Sequence, residues 1–353
     1  MSKAAICVVV PVYKAMATLD RCVESVLAQQ VEGGLTCILV DDGSPDESGA
    51  LCDAWAAKDD RVTVIHQDDL GVSGARNSGL AAADSEFIVF LDSDDALRPG
   101  ALQAALTAQR AAPQDFVVWH YTTDEKDPAA VTADAEPCTQ AGLARLWLDC
   151  LLAMPWNKLY RADLAKQLQF DVQYTLGEDL QFVLDYIALL GQTVPEFGYR
   201  VMTSPLTFYD CSRGGTLSTR YHANYCDIWP KHFAKLNAAC HAAACPAEDM
   251  RPLHRAELQV FAEGVADIMR RDPSPTQRLK GYKAEAALRS PWLRALLERM
   301  KIEHCYSAYY LPCRWRNVGL VCRVDEARRA NAPLYGKLDW AGYYLLLGRM
   351  RRD

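Results

Sequence analysis

The chain has 353 residues, half of them apolar and 24% charged, a balance that suits roughly two folded domains and excludes wholesale disorder, collagen and coiled coil. The formal net charge of −7 argues against a general nucleic-acid binder. The charge is uneven, with 13 basic and 6 acidic residues from Arg289 to the end against 25 basic and 39 acidic in residues 1–288, so the tail is the part suited to an anionic partner.

In chain order, Ala5–Val12 is a continuous apolar run, as expected of a strand buried on both faces of a parallel sheet. It is too short for a membrane span, ends near a proline and lacks the cleavage pattern of a signal peptide. Thr18 can cap a helix whose apolar face repeats at Leu19, Cys22, Val23, Val26 and Leu27. Cys37–Val40 reads as a second strand ending at Asp41-Asp42-Gly43-Ser44, residues 48–58 as a helix, and Val62–Ile65 as a third strand. Residues 73–82 follow as a helix with Ser73 as its cap, then Phe87–Leu91 as a strand ending at Asp92-Ser93-Asp94-Asp95. Pro99 opens another helix and Phe116–Trp119 is a fifth strand. Residues 122–137 read as a loop, 140–152 as helical, 155–210 as further short elements, and 213–216 as a turn. From about residue 220 the pattern is mainly helical, with proline breaks at 230, 246, 252, 273, 275 and 291.

This alternation predicts an α/β fold: a Rossmann-like, mostly parallel sheet flanked by helices, with a catalytic domain over 1–215 and a mainly helical region over 216–353. Right-handed crossovers put the strand carboxyl ends on one edge, where ligands bind. The polar clusters all fall there. The thirteen cysteines contain no CxxC pair, and several lie in apolar runs (Cys7, Cys37, Cys322), which suggests reduced, buried thiols in a cytoplasmic protein.

Several carboxylates at one strand end repel each other unless a cation joins them. The Asp92-Ser93-Asp94-Asp95 oxygens suit a hard divalent ion, Mg²⁺ or Mn²⁺. Alone, such a cluster reads equally as a solvated turn. Asp41-Asp42 can accept the imide N–H of uracil or hold a ribose hydroxyl. Gly71 and Gly74 permit close backbone approach before Arg76, which could reach a phosphate or a metal-binding carboxylate. Pro11-Val12-Tyr13 puts a ring where a base could stack.

Together, VVVPVY, ILVDDGSPDESG, VTVIHQDDLGVSGARNSGL and FIVFLDSDDALRPG resemble, in order and spacing, the nucleotide-binding half of the family 2 glycosyltransferases, which have the GT-A fold. PWNKLYRADL and LGEDLQF resemble the segments that follow in bacterial members acting on capsular, exopolysaccharide or cell-wall glycans, so the resemblance spans about residues 5–215. It implies a metal-dependent, inverting transfer of a sugar from a nucleoside diphosphate donor, most often UDP-linked, to a glycan or lipid-linked acceptor. It implies Asp94 as direct metal ligand, with Asp92 nearer the ribose and a metal-bound water. Asp41 or Asp42 would hold the uracil or ribose, Pro11 and Tyr13 would line the base pocket, and Arg76 would steady the diphosphate side. Asp179, with Glu178 beside it, resembles the catalytic base; unaided, the same pair reads as an acidic first helical turn. The chain departs from the family at Lys14 and Asp69, both commonly asparagine there, and an aspartate cannot donate the asparagine's hydrogen bonds to a donor nucleotide.

Trp156, Lys158 and Arg213 are candidates for acceptor or diphosphate contacts. Pro291–Met300 forms an apolar helical stripe with arginines nearby, and LDWAGYYLLLGRMRRD ends the chain. Such segments can lie in a bilayer interface at the inner face of the membrane, pack on the catalytic domain, or dock a second subunit. The alternatives to a transferase are a sugar-nucleotide-binding or regulatory protein without turnover, and a nucleotidyltransferase. Val12-Tyr13-Lys14-Ala15-Met16 stands where the latter would carry its phosphate loop.

Overall fold

The apolar run at the start forms β1 (Ala4–Val12), buried along nearly its whole length. It is followed by α1 (Leu19–Leu27), β2 (Leu35–Asp42), α2 (Ser48–Lys58), β3 (Val62–Gln67), α3 (Gly71–Ala82) and β4 (Ser85–Phe90). The four strands are parallel in the order β3-β2-β1-β4. The chain winds outward from β1 to β3, then returns to the other side of β1 for β4. The strand order therefore reverses between β1 and β4, which opens a crevice at their carboxyl ends. The apolar face of α1 is buried at Leu19, Cys22, Val23 and Val26, as its spacing predicts. The computed structural model describes residues 3–174, 176–212, 220–331 and Tyr335; it divides into two units, Met1–Gly214 and Gly215–Asp353.

The rest of the first unit comprises β5 (Ala96–Leu97), α4 (Ala101–Ala111), β6 (Phe116–Thr122), β7 (Ala135–Cys138), α5 (Leu143–Leu148), β8 (Lys158–Arg161), α6 (Ala162–Ala165), α7 (Glu178–Thr193) and β9 (Tyr199–Phe208). Here the mostly parallel expectation gives way to a mixed sheet. β8 lies antiparallel between β4 and β6, β9 runs parallel to β6, and β5 and β7 pair antiparallel with β9. β8 has no alternating signature because Lys158, Leu159 and Tyr160 are all buried. Local readings shift as well. Helix α3 begins at Gly71, so Ser73 lies inside it and is buried. Thr18 spends its hydroxyl on the Ala15 carbonyl at 3.4 Å and makes no side-chain cap. The loop over 122–137 ends in the short strand β7.

In the second unit, α8 (Tyr225–Ala242), α9 (Ala247–Arg271), α10 (Gln277–Ala287), α11 (Pro291–Ile302), α12 (Tyr310–Arg314) and α13 (Val318–Arg329) follow in order. Helix α9 is the axis of the unit, packing against α8, α10, α11 and α13. Leu258, Phe261 and Val265 form part of its buried face; each such side chain contributes about 1.5–3 kcal/mol when fully buried. Pro230 and Pro252 do not break their helices. Each is the sixth residue, so only the first turns lose a backbone bond, and the long apolar faces beyond hold the helix. Pro291 opens α11, where its missing N–H costs nothing, and Ser290 caps that helix through Leu293 N. Among the described residues no helix is long and apolar enough to cross a membrane. The tail segment 338–353 and the turn at 213–216, Arg213 included, lie outside the described residues.

Candidate active site at the carboxyl edge of the sheet

Strand β2 ends in two carboxylates that point into different surroundings. Asp41 is 7% exposed and accepts from Ser44 N at 3.2 Å, while its other oxygen meets His66 Nδ1 at 3.0 Å. Burial alone would raise the Asp41 pKa; the bonds from Ser44 and His66 outweigh it and hold the group below the usual carboxylate range. His66 reaches Asp53 at 2.9 Å through Nε2, and the bonds to Asp53 and Asp41 raise its own pKa. Asp42 is 2% exposed and pins the next loop, accepting from Gln67 Nε2 at 2.7 Å and Leu70 N at 3.0 Å. Gly43 (φ +66) is required between these loops, because a Cβ there would sit 2.9 Å from Asp69 N. Asp69 is exposed and accepts from Gly71 N at 3.2 Å.

At the end of β1, Pro11 is buried while the Tyr13 ring is 44% exposed. Lys14 occupies the left-handed region (φ 53), where asparagine costs less than lysine. Its ammonium lies 4.9 Å from the centre of the Tyr13 ring.

Helix α3 sits unusually close to the sheet. A Cβ at Gly79 would lie 2.3 Å from Val9 Cγ1, so only glycine allows the approach. That closeness carries Arg76 to the strand ends, where it is 3% exposed. Its guanidinium donates to Asp92 at 2.8 Å and to Asp179 at 2.6 Å. Burial disfavours the charge of Arg76, but Asp179 and Asp92 more than restore it. One buried cation thus ties the strand-end cluster after β4 to the first turn of α7, where Asp179 lies 103 residues from Arg76 in sequence. Gly177 (φ 77) sets the entry to that helix, and Glu178 and Asp179 lie in its first turn. Burial pushes the Asp179 carboxyl up to about 7, against the pull of Arg76 and with a further push from Glu178. A proton acceptor of that strength is matched to neutral pH.

The cluster after β4 is less charged than it looks. Asp95 is fully buried, and burial followed by the charge of Asp92 raises its pKa to about 9. Burial therefore favours its neutral form, while Asp92 and Asp94 beside it are both partly exposed. Asp95 accepts from Asp210 N at 3.0 Å. Asp210, just past β9, pairs with Arg21 at 2.7 Å, and the same Arg21 nitrogen donates to the Asp94 carbonyl at 2.6 Å. Arg21, His66, Asp95 and Asp210 are parts of this rim that motif reading did not single out as site residues. Asp95 is visible in the cluster, but its neutral state depends on burial. Asp210 and Arg21 meet only through the fold.

Two candidates are displaced from the site. Lys158 is fully buried and donates to Leu151 O, Met154 O and Asn157 Oδ1 at 2.5–2.7 Å, so it ties a loop together and reaches no acceptor. Trp156 is 3% exposed and packs on Tyr209 and Tyr121, with ring centres 5.4 Å apart in each case. One face stacks on Tyr209 and the ring is buried, which leaves no open face for a sugar.

The model of glycosyl transferase family 2 matches residues 7–169, which include most of β1, the Asp41-Asp42 turn, Arg76 and the Asp92–Asp95 cluster. The chain carries a family 2 glycosyltransferase domain. The chain is similar to glycosyltransferase GlyG of Streptococcus pneumoniae, 39% identical over 124 residues, which cover 35% of this chain and 41% of GlyG. The chain spans about half the length of the curated relatives it matches. The crystal structure of S. aureus TarS 1-349 in complex with UDP-GlcNAc shares the fold over 93% of this chain and 92% of that one, with a TM-score of 0.60 and 17% identity. Mannosyltransferase PcManGT from Pyrobaculum calidifontis, in complex with GDP-Man and Mn²⁺, does so over 90% and 87%, with a TM-score of 0.50 and 17% identity.

Proposed function

We propose that the chain is an inverting glycosyltransferase that moves a sugar from a nucleoside diphosphate donor, a UDP-sugar, to a hydroxyl of a growing polysaccharide or glycolipid. The observation that carries this reading is Arg76 bridging Asp92 and Asp179. It fixes a proton acceptor beside the carboxylates suited to a cation, which is what a single displacement at a sugar carbon needs.

In this reading Asp179 takes the proton of the acceptor hydroxyl as its oxygen attacks the anomeric carbon. The bond from that carbon to the diphosphate oxygen breaks, and the diphosphate leaves with the electron pair. Asp94, with Asp92, offers the hard oxygen donors that a divalent ion such as Mn²⁺ or Mg²⁺ prefers. Such an ion, when bound there, neutralises charge on the departing diphosphate. Arg76 keeps the two carboxylates in register. Asp41 accepts the imide N–H of the base, and the exposed ring of Tyr13 stacks on it. Thirteen free cysteines suit the cytoplasm, at the inner face of the membrane where lipid-linked acceptors are assembled.

A donor panel scored by release of nucleoside diphosphate, with Mn²⁺ present, tests the reading. It includes a GDP-sugar, because the Asp41 carboxylate would also accept the N–H groups of guanine. Release from a UDP-sugar is expected. Asp179→Asn should lower turnover by about 10²–10⁴-fold while donor binding persists. Full activity in that variant, or no release from any donor, refutes the assignment.

A further inference from the structure

The helical unit contains a cavity of about 230 Å³, lined by two stretches of chain. One is the start of α11 with the residues just before it; the other is the end of α12 and the turn after it. Four arginines line it, Arg289, Arg294, Arg314 and Arg316, against one carboxylate, Glu298. Its floor includes Leu293 and Leu297, both buried. We propose that this cavity is a phosphate site that seats the headgroup of an anionic phospholipid.

Guanidinium groups match phosphate oxygens in paired hydrogen bonds, which an ammonium cannot do. Among the described residues Arg294 and Arg316 have no carboxylate partner. Arg289 and Arg314 meet Glu285 and Glu298 at 3.4 and 3.3 Å across exposed side chains, pairs that hold little and release easily. Four like charges around one cavity repel one another, and a bound anion relieves that repulsion. Arg316 adopts the left-handed region (φ 54), where glycine or asparagine would be at ease.

The exposed indole beside the arginines separates a lipid from a soluble anion. Trp315, between two of the arginines, is 63% exposed, the setting in which an indole lies at a membrane surface. The volume falls below the roughly 300–1,000 Å³ of pockets that enclose a drug-sized ligand, which suits a headgroup whose chains stay outside.

The test uses the full chain and vesicles of phosphatidylcholine with or without phosphatidic acid, read by cosedimentation. Binding is expected only with phosphatidic acid and should weaken as salt rises. The double variant Arg294→Glu/Arg316→Glu should bind about tenfold more weakly or worse. Its melting temperature and its nucleoside diphosphate release should be unchanged, so the outcome is read apart from the donor chemistry. Deleting residues 338–353 should leave binding in place. Vesicle binding that survives the double substitution, or is absent in the intact chain, overturns the proposal. So does competition by soluble glycerol 3-phosphate at the same affinity, since the ligand would then be a free phosphate.

Discussion

Arg76 and Lys158 are both cations withdrawn from water, one over the parallel half of the sheet and one on the antiparallel strand beside β4. Arg76 is surrounded by opposite charge, with two carboxylates at 2.6 and 2.8 Å. Lys158 hydrogen-bonds only to neutral oxygens, and burial, opposed in part by the charge of Asp179, holds its pKa well below the ordinary value. A charge buried among neutral dipoles is a structural tie: its partners are fixed carbonyls of one loop. A charge buried between carboxylates from two distant segments is set differently, because those carboxylates stay available on their outer sides for a ligand. The two halves of the sheet therefore divide the work, the first presenting charge and the second holding backbone.

Substitutions separate the two roles. Arg76→Met removes the cation and leaves Asp92 and Asp179 facing each other, a change expected to cost about 3 kcal/mol of unfolding free energy in urea. Turnover should fall with it, even per folded molecule. Arg76→Lys keeps the charge but cannot reach both carboxylates through one planar fork, so it should recover stability better than turnover. Lys158→Met leaves three acceptors without a donor and is expected to cost about 1–3 kcal/mol. Donor turnover per folded molecule should stay at the wild-type level. Equal losses of turnover in both positions would erase the distinction between the halves.

The parallel half was legible because its strands are buried runs ending in polar clusters, and both features are local. Ala4–Val12, Leu35–Asp42 and Ser85–Phe90 announce themselves by composition, and the ends of the last two hold Asp41, Asp92 and Asp94 where motif spacing puts them. The antiparallel half was not legible in the same way. The first three residues of β8 are buried in succession, lysine included, so no period appears, and its place between β4 and β6 depends on pairing across the sheet. For the same reason Lys158 and Trp156, polar or aromatic in a family-like segment, read as contacts and are interior. Arg76 was visible as a residue able to reach a carboxylate. That it grips two, from β4 and from α7, follows from the close seat of Gly79 on Val9.

The same device recurs in weaker form at the surface, where His66 lies between Asp41 and Asp53 at 3.0 and 2.9 Å. Its side chain is 49% exposed, so solvent screens the pair and the contribution stays below about 1 kcal/mol. The bonds to Asp53 and Asp41 raise its folded pKa. The stabilisation is therefore fully present below the unfolded value of about 6.5. It is lost as pH climbs through the raised folded value, since the neutral ring can no longer donate to both carboxylates. Melting curves of the wild type and His66→Gln should differ at pH 6 and converge by pH 9. The donor KM of the wild type should rise over the same interval as Asp41 loses its charged neighbour, while the variant's stays flat in comparison. A gap in melting temperature that does not change with pH would mean that His66 acts by packing alone, and that bridging carboxylates with a cation matters at this edge only where, as at Arg76, water is excluded.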